Sequence, residues 1–148
     1  MSESIHIRQA APADFPFVYK MIREFAEFQR SSDKFVVSLQ DMQEAAPQFT
    51  CFVAETEGKE IIGYATCFPA YYSWTGKAIY LDDLYVKEEF RGQKIGSRLM
   101  QGIFELARKS GCSKVRWQVS NWNNLAIEFY RSLGAKVDDV ELNCDLVI

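Results

Sequence analysis

Two adjacent carboxylates, Asp82 and Asp83, interrupt an apolar run in which Ala78, Ile79, Tyr80 and Leu81 precede them and Leu84, Tyr85 and Val86 follow. Aromatic, β-branched and aliphatic side chains at that density specify a strand. A short turn comes next, Arg91-Gly92-Gln93-Lys94-Ile95-Gly96-Ser97. Beyond it Leu99, Met100, Ile103, Phe104, Leu106 and Ala107 form one stripe with the period of a helix. Gly92 and Gly96 let the backbone turn tightly, so several N–H groups can point out of the turn. Such donors at a helix N-terminus, backed by the positive end of the helix dipole, make an anion site suited to a pyrophosphate. The same residues also suit an ordinary strand–turn–helix connection. Neither the GxxxxGKS/T nor the GxGxxG glycine spacing is present.

Proton transfer in this chain has few agents to choose from. The one histidine, His6, sits in the alternating Ile5-His6-Ile7-Arg8 and reads as a strand-edge surface residue. A Ser-His-Asp or Cys-His triad would have to use it, and no His/Cys cluster can assemble a typical zinc site. Acid–base work therefore falls to carboxylates, tyrosines, bound water or a cysteine.

The elements that must position these residues are legible along the chain. Residues 5–8 read as a strand. Ala11-Pro12-Ala13-Asp14 opens a helix with Phe17, Val18, Met21, Ile22, Phe25 and Phe28 on its apolar face. Its other face carries Lys20, Arg23, Glu24 and Glu27, which reads as a solvated face or as the rim of a substrate cleft. Gln29–Lys34 is a polar loop, and Ser38-Leu39-Gln40-Asp41 resembles a capping box for a shorter helix that Pro47 ends. Two strands, Phe49–Ala54 and Ile61–Phe68, flank a hairpin turn at Glu57-Gly58-Lys59. The connection Pro69–Lys77 reads as a loop; its Tyr71, Tyr72 and Trp74 either pack down on the core or line a cleft for an alkyl or cationic ligand. After the long helix and Gly111, Lys114–Val119 alternates as a strand. Asn121-Trp122-Asn123-Asn124 starts a last helix with Leu125, Ala126, Phe129, Tyr130 and Leu133 on one stripe and Gly134 behind it, and Glu141–Val147 reads as a weak strand.

A chain of 148 residues with 48% hydrophobic content suits a single domain, 1–148, with one core. The net charge of −3 and a pI near 5.2 argue against a nucleic-acid or anionic-membrane partner, although a local basic patch can still hold one small polyanion. The polar start Met1-Ser2-Glu3-Ser4 runs straight into a strand, with no signal peptide or membrane-spanning run after it. The scattered cysteines Cys51, Cys67, Cys112 and Cys144 form no C-x-x-C pair, so a reducing, cytoplasmic compartment is the expectation.

Arg91-Gly92-Gln93-Lys94-Ile95-Gly96 resembles the acetyl-CoA pyrophosphate loop of the GNAT N-acetyltransferase superfamily, with Lys94 standing where that pattern usually has its first glycine. Asn123, Ala126, Phe129, Tyr130 and Gly134 resemble the family's N-x-x-A-x-x-F-Y-x-x-x-G pattern, and the element order β-α-α-β-β-β-α-β-α-β matches its fold. Ile62-Gly63-Tyr64-Ala65, Trp74-x-Gly76-Lys77, Tyr80-Leu81-Asp82-Asp83 and Trp122-Asn123 look like the diamine (spermidine/spermine) branch. In that branch glutamate usually stands where Asp82 is, and Gln29 falls where an acid is common.

The resemblance implies an α/β fold with a mixed, mostly antiparallel twisted sheet, flanking helices and a splayed central strand pair. It implies acetyl-CoA as cosubstrate, no metal, a small amine as partner and a homodimer. Asp82, alone or through a water, is the expected proton acceptor and Tyr130 the expected general acid. The coenzyme would be held by backbone around Leu84, Tyr85 and Val86, by Arg91 through Ser97, and by Asn123, Ala126 and Tyr130. Asp82, Asp83, Trp74, Glu24 and Glu27 are the expected substrate contacts. A β-bulge at Asp82-Asp83 would re-aim one of the two acids. Two other readings stay open: a coenzyme-binding sensor without turnover, and an acetyltransferase acting on protein amines.

Overall fold

The computed structural model describes residues 4–148; the first three residues of the polar start lie outside them. The described chain divides into a larger unit that ends at Trp117 and a smaller one, Gln118–Ile148. In the larger unit the order is β1 (Ile5–Gln9), α1 (Phe15–Phe28), α2 (Leu39–Ala45), β2 (Thr50–Thr56), β3 (Ile61–Tyr72), β4 (Gly76–Val86), α3 (Ile95–Lys109) and β5 (Lys114–Arg116). The five strands form one sheet in sequence order, antiparallel from β1 to β4 and parallel between β4 and β5. The smaller unit contains α4 (Asn124–Ser132).

Each face of the sheet is covered by the apolar side of a helix. On one face Tyr64, Val53 and Cys51 pack with Phe15, Val18 and Met21 of α1 and Met42 of α2. On the other, Leu99, Met100 and Ile103 of α3 are fully buried. Close approach there depends on two small residues: a Cβ on Gly63 would lie 3.4 Å from a Leu99 methyl and 3.0 Å from the Tyr85 carbonyl, and one on Gly102 would meet the Phe52 ring. Ser38 caps α2 as its sequence suggests, its hydroxyl accepting from Asp41 N at 3.0 Å while the Asp41 carboxylate accepts from Ser38 N at 2.9 Å.

Several expectations need correction. The Pro69–Lys77 stretch is not a loop: β3 runs to Tyr72 and β4 begins at Gly76, with a tight turn between them. Alternating aromatic residues extend the hairpin, and Gly76 at φ +86 supplies the left-handed residue the turn needs. Trp74 at the tip is 97% exposed and Tyr71 is also exposed, so neither packs on the core. β5 stops at Arg116 rather than Val119, since its ladder with β4 covers only Ala78–Tyr80 and ends just before Asp82. Among the described residues Glu141–Val147 forms no strand, because period-2 alternation without a ladder partner leaves backbone groups unpaired. Phe17 and Phe28, assigned to the apolar face of α1, are largely exposed, and Phe15 is buried in that stripe instead.

Candidate active site

The site begins with one extra residue in β4. Thr66 pairs with Asp83 and Cys67 with Leu81, so Asp82 has no counterpart on β3 and the register shifts there. Two residues opposite one is a β-bulge. Along β3, Tyr64 belongs to the α1-facing core, and Gly63 lies against α3. Strand alternation then assigns Thr66 and Phe68 to the α1 face, together with Tyr80, which stacks on Phe68 at 5.2 Å between ring centroids. Tyr80 and Asp82 share that face by alternation before the bulge, and Asp83 and Tyr85 share it after the bulge. Both carboxylates therefore stand on one face, which an unbroken strand forbids.

The electrostatics agree with that placement. The Asp83 carboxyl is pushed up to about 6, chiefly by burial and further by the Asp82 charge, against a hydrogen bond from Tyr64 that lowers it. Burial likewise raises Asp82. The Tyr80 phenol is raised by burial and by Asp82. Tyr64 is fully buried, and its hydroxyl donates to Asp83 Oδ2 at 3.0 Å; Asp83 N donates to the Thr66 hydroxyl at 3.2 Å. Glu24 reaches the same face from α1, accepting from the Tyr85 hydroxyl at 3.2 Å, while Phe25 stacks on the Tyr85 ring at 5.4 Å. The result is an acidic, aromatic strip. Carboxylates short of a cation and raised in pKa suit both proton acceptance near neutral pH and the holding of a positively charged ligand.

The edge of β4 beyond the bulge carries a second set of groups. Lys87 N donates to Ile62 O and Asp83 N turns toward β3, so the N–H groups of Leu84 and Val86 point the other way. The Val86 carbonyl confirms the direction by accepting from Arg91 Nε at 2.9 Å. Arg91 also lies over the rings of Phe28 and Tyr85, at 5.3 and 5.4 Å, which anchors the start of the turn. Gly92 at φ +83 and Lys94 at φ +63 complete the turn into α3. A lysine costs about 1 kcal/mol in the left-handed region, yet Lys94 takes the conformation a glycine would and serves as N-cap. Helical bonding starts with Arg98 N to Lys94 O, so the N–H groups of Ile95, Gly96 and Ser97 have no intrahelical acceptor. Gln93 and Lys94 are exposed beside them. The arrangement offers backbone donors and a lysine to a phosphate.

Other expected residues stand apart. Trp74 is at the hairpin tip, roughly 20 Å along β4 from Asp82 at about 3.3 Å per residue, and the larger unit does not bring it to the carboxylates. Glu27 is exposed on α1. In the smaller unit Asn123 caps α4, its side-chain oxygen accepting from Ala126 N at 3.2 Å. Tyr130 is half-buried on that helix beside Phe129, and burial raises its phenol above the ordinary tyrosine range. Among the described residues no group of three or more His, Cys, Asp or Glu side chains could hold a metal ion, and no helix is long and apolar enough to cross a membrane. Cys51 and Cys67 are buried thiols pushed up to about 12 and about 11 by desolvation, hence poor nucleophiles.

Sequence reasoning missed three participants: the side chains of Tyr64, Thr66 and Tyr80. All lie at alternate strand positions facing the acids, a signal that becomes usable only once the bulge sets which face the acids share.

Residues 15–135 match the model of the acetyltransferase (GNAT) family, a span that runs across the boundary between the two units. A thialysine N-epsilon-acetyltransferase from Sus scrofa is 38% identical over 144 residues, covering 90% of this chain and 85% of that protein. A spermidine/spermine N(1)-acetyltransferase-like protein 1 from Homo sapiens is 31% identical over 139 residues, covering 87% of this chain and 20% of that protein. Among solved structures, an aminoglycoside acetyltransferase from an uncultured soil metagenomic sample, in complex with trehalose, superposes with a TM-score of 0.81 at 25% identity over 97% of each chain. With the bulged central strand, the left-handed turn into α3 and a family match over most of its length, this chain belongs to the acetyltransferase (GNAT) family.

Proposed function

We propose that the chain transfers acetyl from acetyl-CoA to a primary amine by direct attack in a ternary complex. The acceptor is a small diamine, a polyamine or a lysine-like amine, the classes named by the related thialysine and spermidine/spermine proteins. The observation that carries this reading is the bulge, which gives Asp82 and Asp83 one face beside a strand edge with outward N–H groups. An alkyl amine has a pKa of about 10 and must lose a proton before it can attack. Asp82, the more exposed acid, takes that proton directly or through a water. Asp83 and Glu24 attract and orient the ammonium. The Leu84 and Val86 N–H groups serve the acetyl carbonyl, where negative charge develops. The turn from Arg91 to Ser97 binds the pyrophosphate. Tyr130 returns a proton to the departing thiolate, and Asn123 and Ala126 serve the pantetheine arm, as the family resemblance assigns them.

Both units act as one catalytic domain in this reading, in a cytoplasmic homodimer. The sensor alternative leans on Lys94 spoiling the coenzyme turn. Lys94 takes the left-handed conformation at φ +63 that a glycine would take, which weighs against that alternative. An acceptor on a protein would favour an open neutral cleft over an acidic aromatic strip.

The test is thiol release from acetyl-CoA across putrescine, spermidine, spermine, thialysine, lysine and a lysine-containing peptide. Turnover on a small amine, sharply reduced in Tyr130→Phe, supports the proposal. Coenzyme binding with no release on any amine overturns it, and turnover on the peptide alone redirects the substrate class.

A further inference from the structure

Tyr64 is the one phenol in the larger unit that is entirely enclosed and bonded to a carboxylate of the site. Its ring is part of the core under α1, so its hydroxyl cannot swing away without moving that core. Asp83 is held from two sides by β3, at Oδ2 by Tyr64 and at its backbone N by Thr66, whose side chain is itself buried. Asp82, the bulged residue, has no such anchor among the described residues and is more exposed. We propose that Tyr64 is a positioning residue that fixes Asp83 as the ionised counter-charge for the amine, leaving the unanchored Asp82 to handle the proton. The inference rests on the strip being the amine site.

The charged and titratable groups around Asp83 make the hydroxyl matter. Asp82 on its own strand opposes its ionisation, Cys51 on β2 lies near the Tyr64 phenol, and Glu24 from α1 adds a further negative group at Tyr85. No cation acts on Asp83 among the described residues, and the Tyr64 bond is the one that favours its charged form. Burial and the Asp83 charge keep the phenol protonated, so it donates throughout the working pH range.

Removing the hydroxyl as Tyr64→Phe keeps the ring and lifts the Asp83 titration by about one pH unit, as expected for losing one hydrogen bond to a charged group. Two measurements test this. Carboxyl-carbon NMR titration of the free protein, with Asp83→Asn to assign the resonance, reads the shift without any substrate. The kinetic signature is a split: KM for the amine rises about threefold near pH 6.5, the fall in the ionised fraction that a one-unit lift from about 6 produces, and returns toward the parent value by pH 8.5, while kcat changes less than twofold. A purely structural role would lower kcat and KM behaviour uniformly across pH and leave the carboxyl titration in place, which overturns the proposal. Should Tyr64→Phe fail to fold, site-specific 3-fluorotyrosine at position 64, a stronger donor, must move the Asp83 titration downward; no movement also overturns it. A shifted titration in a protein that acetylates no amine would keep the Tyr64–Asp83 coupling and reject the functional reading on which its role rests.

Discussion

Two acidic pairs lie at the sheet and have opposite fates, one joining Asp14, just before α1, to Glu55 of β2 and the other within β4. At the β1 end of the sheet, Arg8 bridges Asp14 and Glu55, with contacts of 2.7 and 2.9 Å, and Ala11 N adds a further bond to Asp14 at 2.7 Å. The guanidinium holds both carboxyls below their ordinary range, burial opposing it at each. At β4, Asp82 and Asp83 have each other and no arginine, and both are raised. The first pair is complete and has nothing left to bind. The second has no cationic partner among the described residues, and the proposed amine would supply one. Acids stabilised within the fold are structural; acids left short of a partner in an exposed strip are available to a substrate.

Four experiments test how far that contrast goes. Asp82→Asn is expected to lower kcat by about 10²–10⁴-fold, the range for losing a general base, with no loss of folded protein by circular dichroism; an unchanged kcat would make Asp82 another structural acid. Arg8→Ala should destabilise the fold by about 2 kcal/mol, below the value for a fully buried pair because Arg8 is partly exposed. Its activity per folded molecule should persist, and denaturant melts with active-site normalisation check both.

Asp83→Asn should stabilise the protein by about 1 kcal/mol at pH 8 while weakening amine binding. The sign follows from linkage. A folded pKa near 6 exceeds the unfolded value, so Asp83 opposes folding most above pH 6, and that opposition fades as pH falls from 6 toward 4. Asp14 has a depressed folded pKa, so its contribution is present above about pH 4 and is lost as pH falls through the folded pKa. Stability of the parent should therefore peak on the acid side of neutrality, and Asp83→Asn should flatten the alkaline flank alone. The smallest effect belongs to Glu24→Gln, a two- to fourfold rise in KM for a dicationic amine at low salt that added salt erases.

Much of this was legible in the chain. The apolar density of Ala78–Val86 and the helical stripe from Leu99 define strand and helix with no knowledge of contacts. Adjacent acids on such a strand would face opposite sides unless a bulge re-aims one, so the chain poses the bulge as an expectation without placing it. What could not be read is the face both acids share, because that depends on which β3 residue goes unopposed. Trp74 illustrates a different limit: composition marks an aromatic segment as noteworthy, but only the length of the hairpin decides that its tip is exposed far from the acids. Lys94 is the reverse case. Residue preference argues against a left-handed lysine, and the glycine at 92 together with the need to enter α3 overrides it. Alternation in Glu141–Val147 resembles a strand because period is a property of one segment, whereas a strand is a property of two.

The bulge at Asp82 also bears on how such a site can be gained or lost. Omitting that residue would leave Leu81 opposite Cys67 and Asp83 opposite Thr66, the pairings they already have. Every apolar side chain of β4 would stay on its present face. The insertion is thus silent to the core: a chain lacking one codon would keep its ladder and its packing and lose only the freer of its two acids. On the role proposed for Asp82, a one-codon deletion would remove the proton acceptor and leave the pairing of β3 with β4 as it stands.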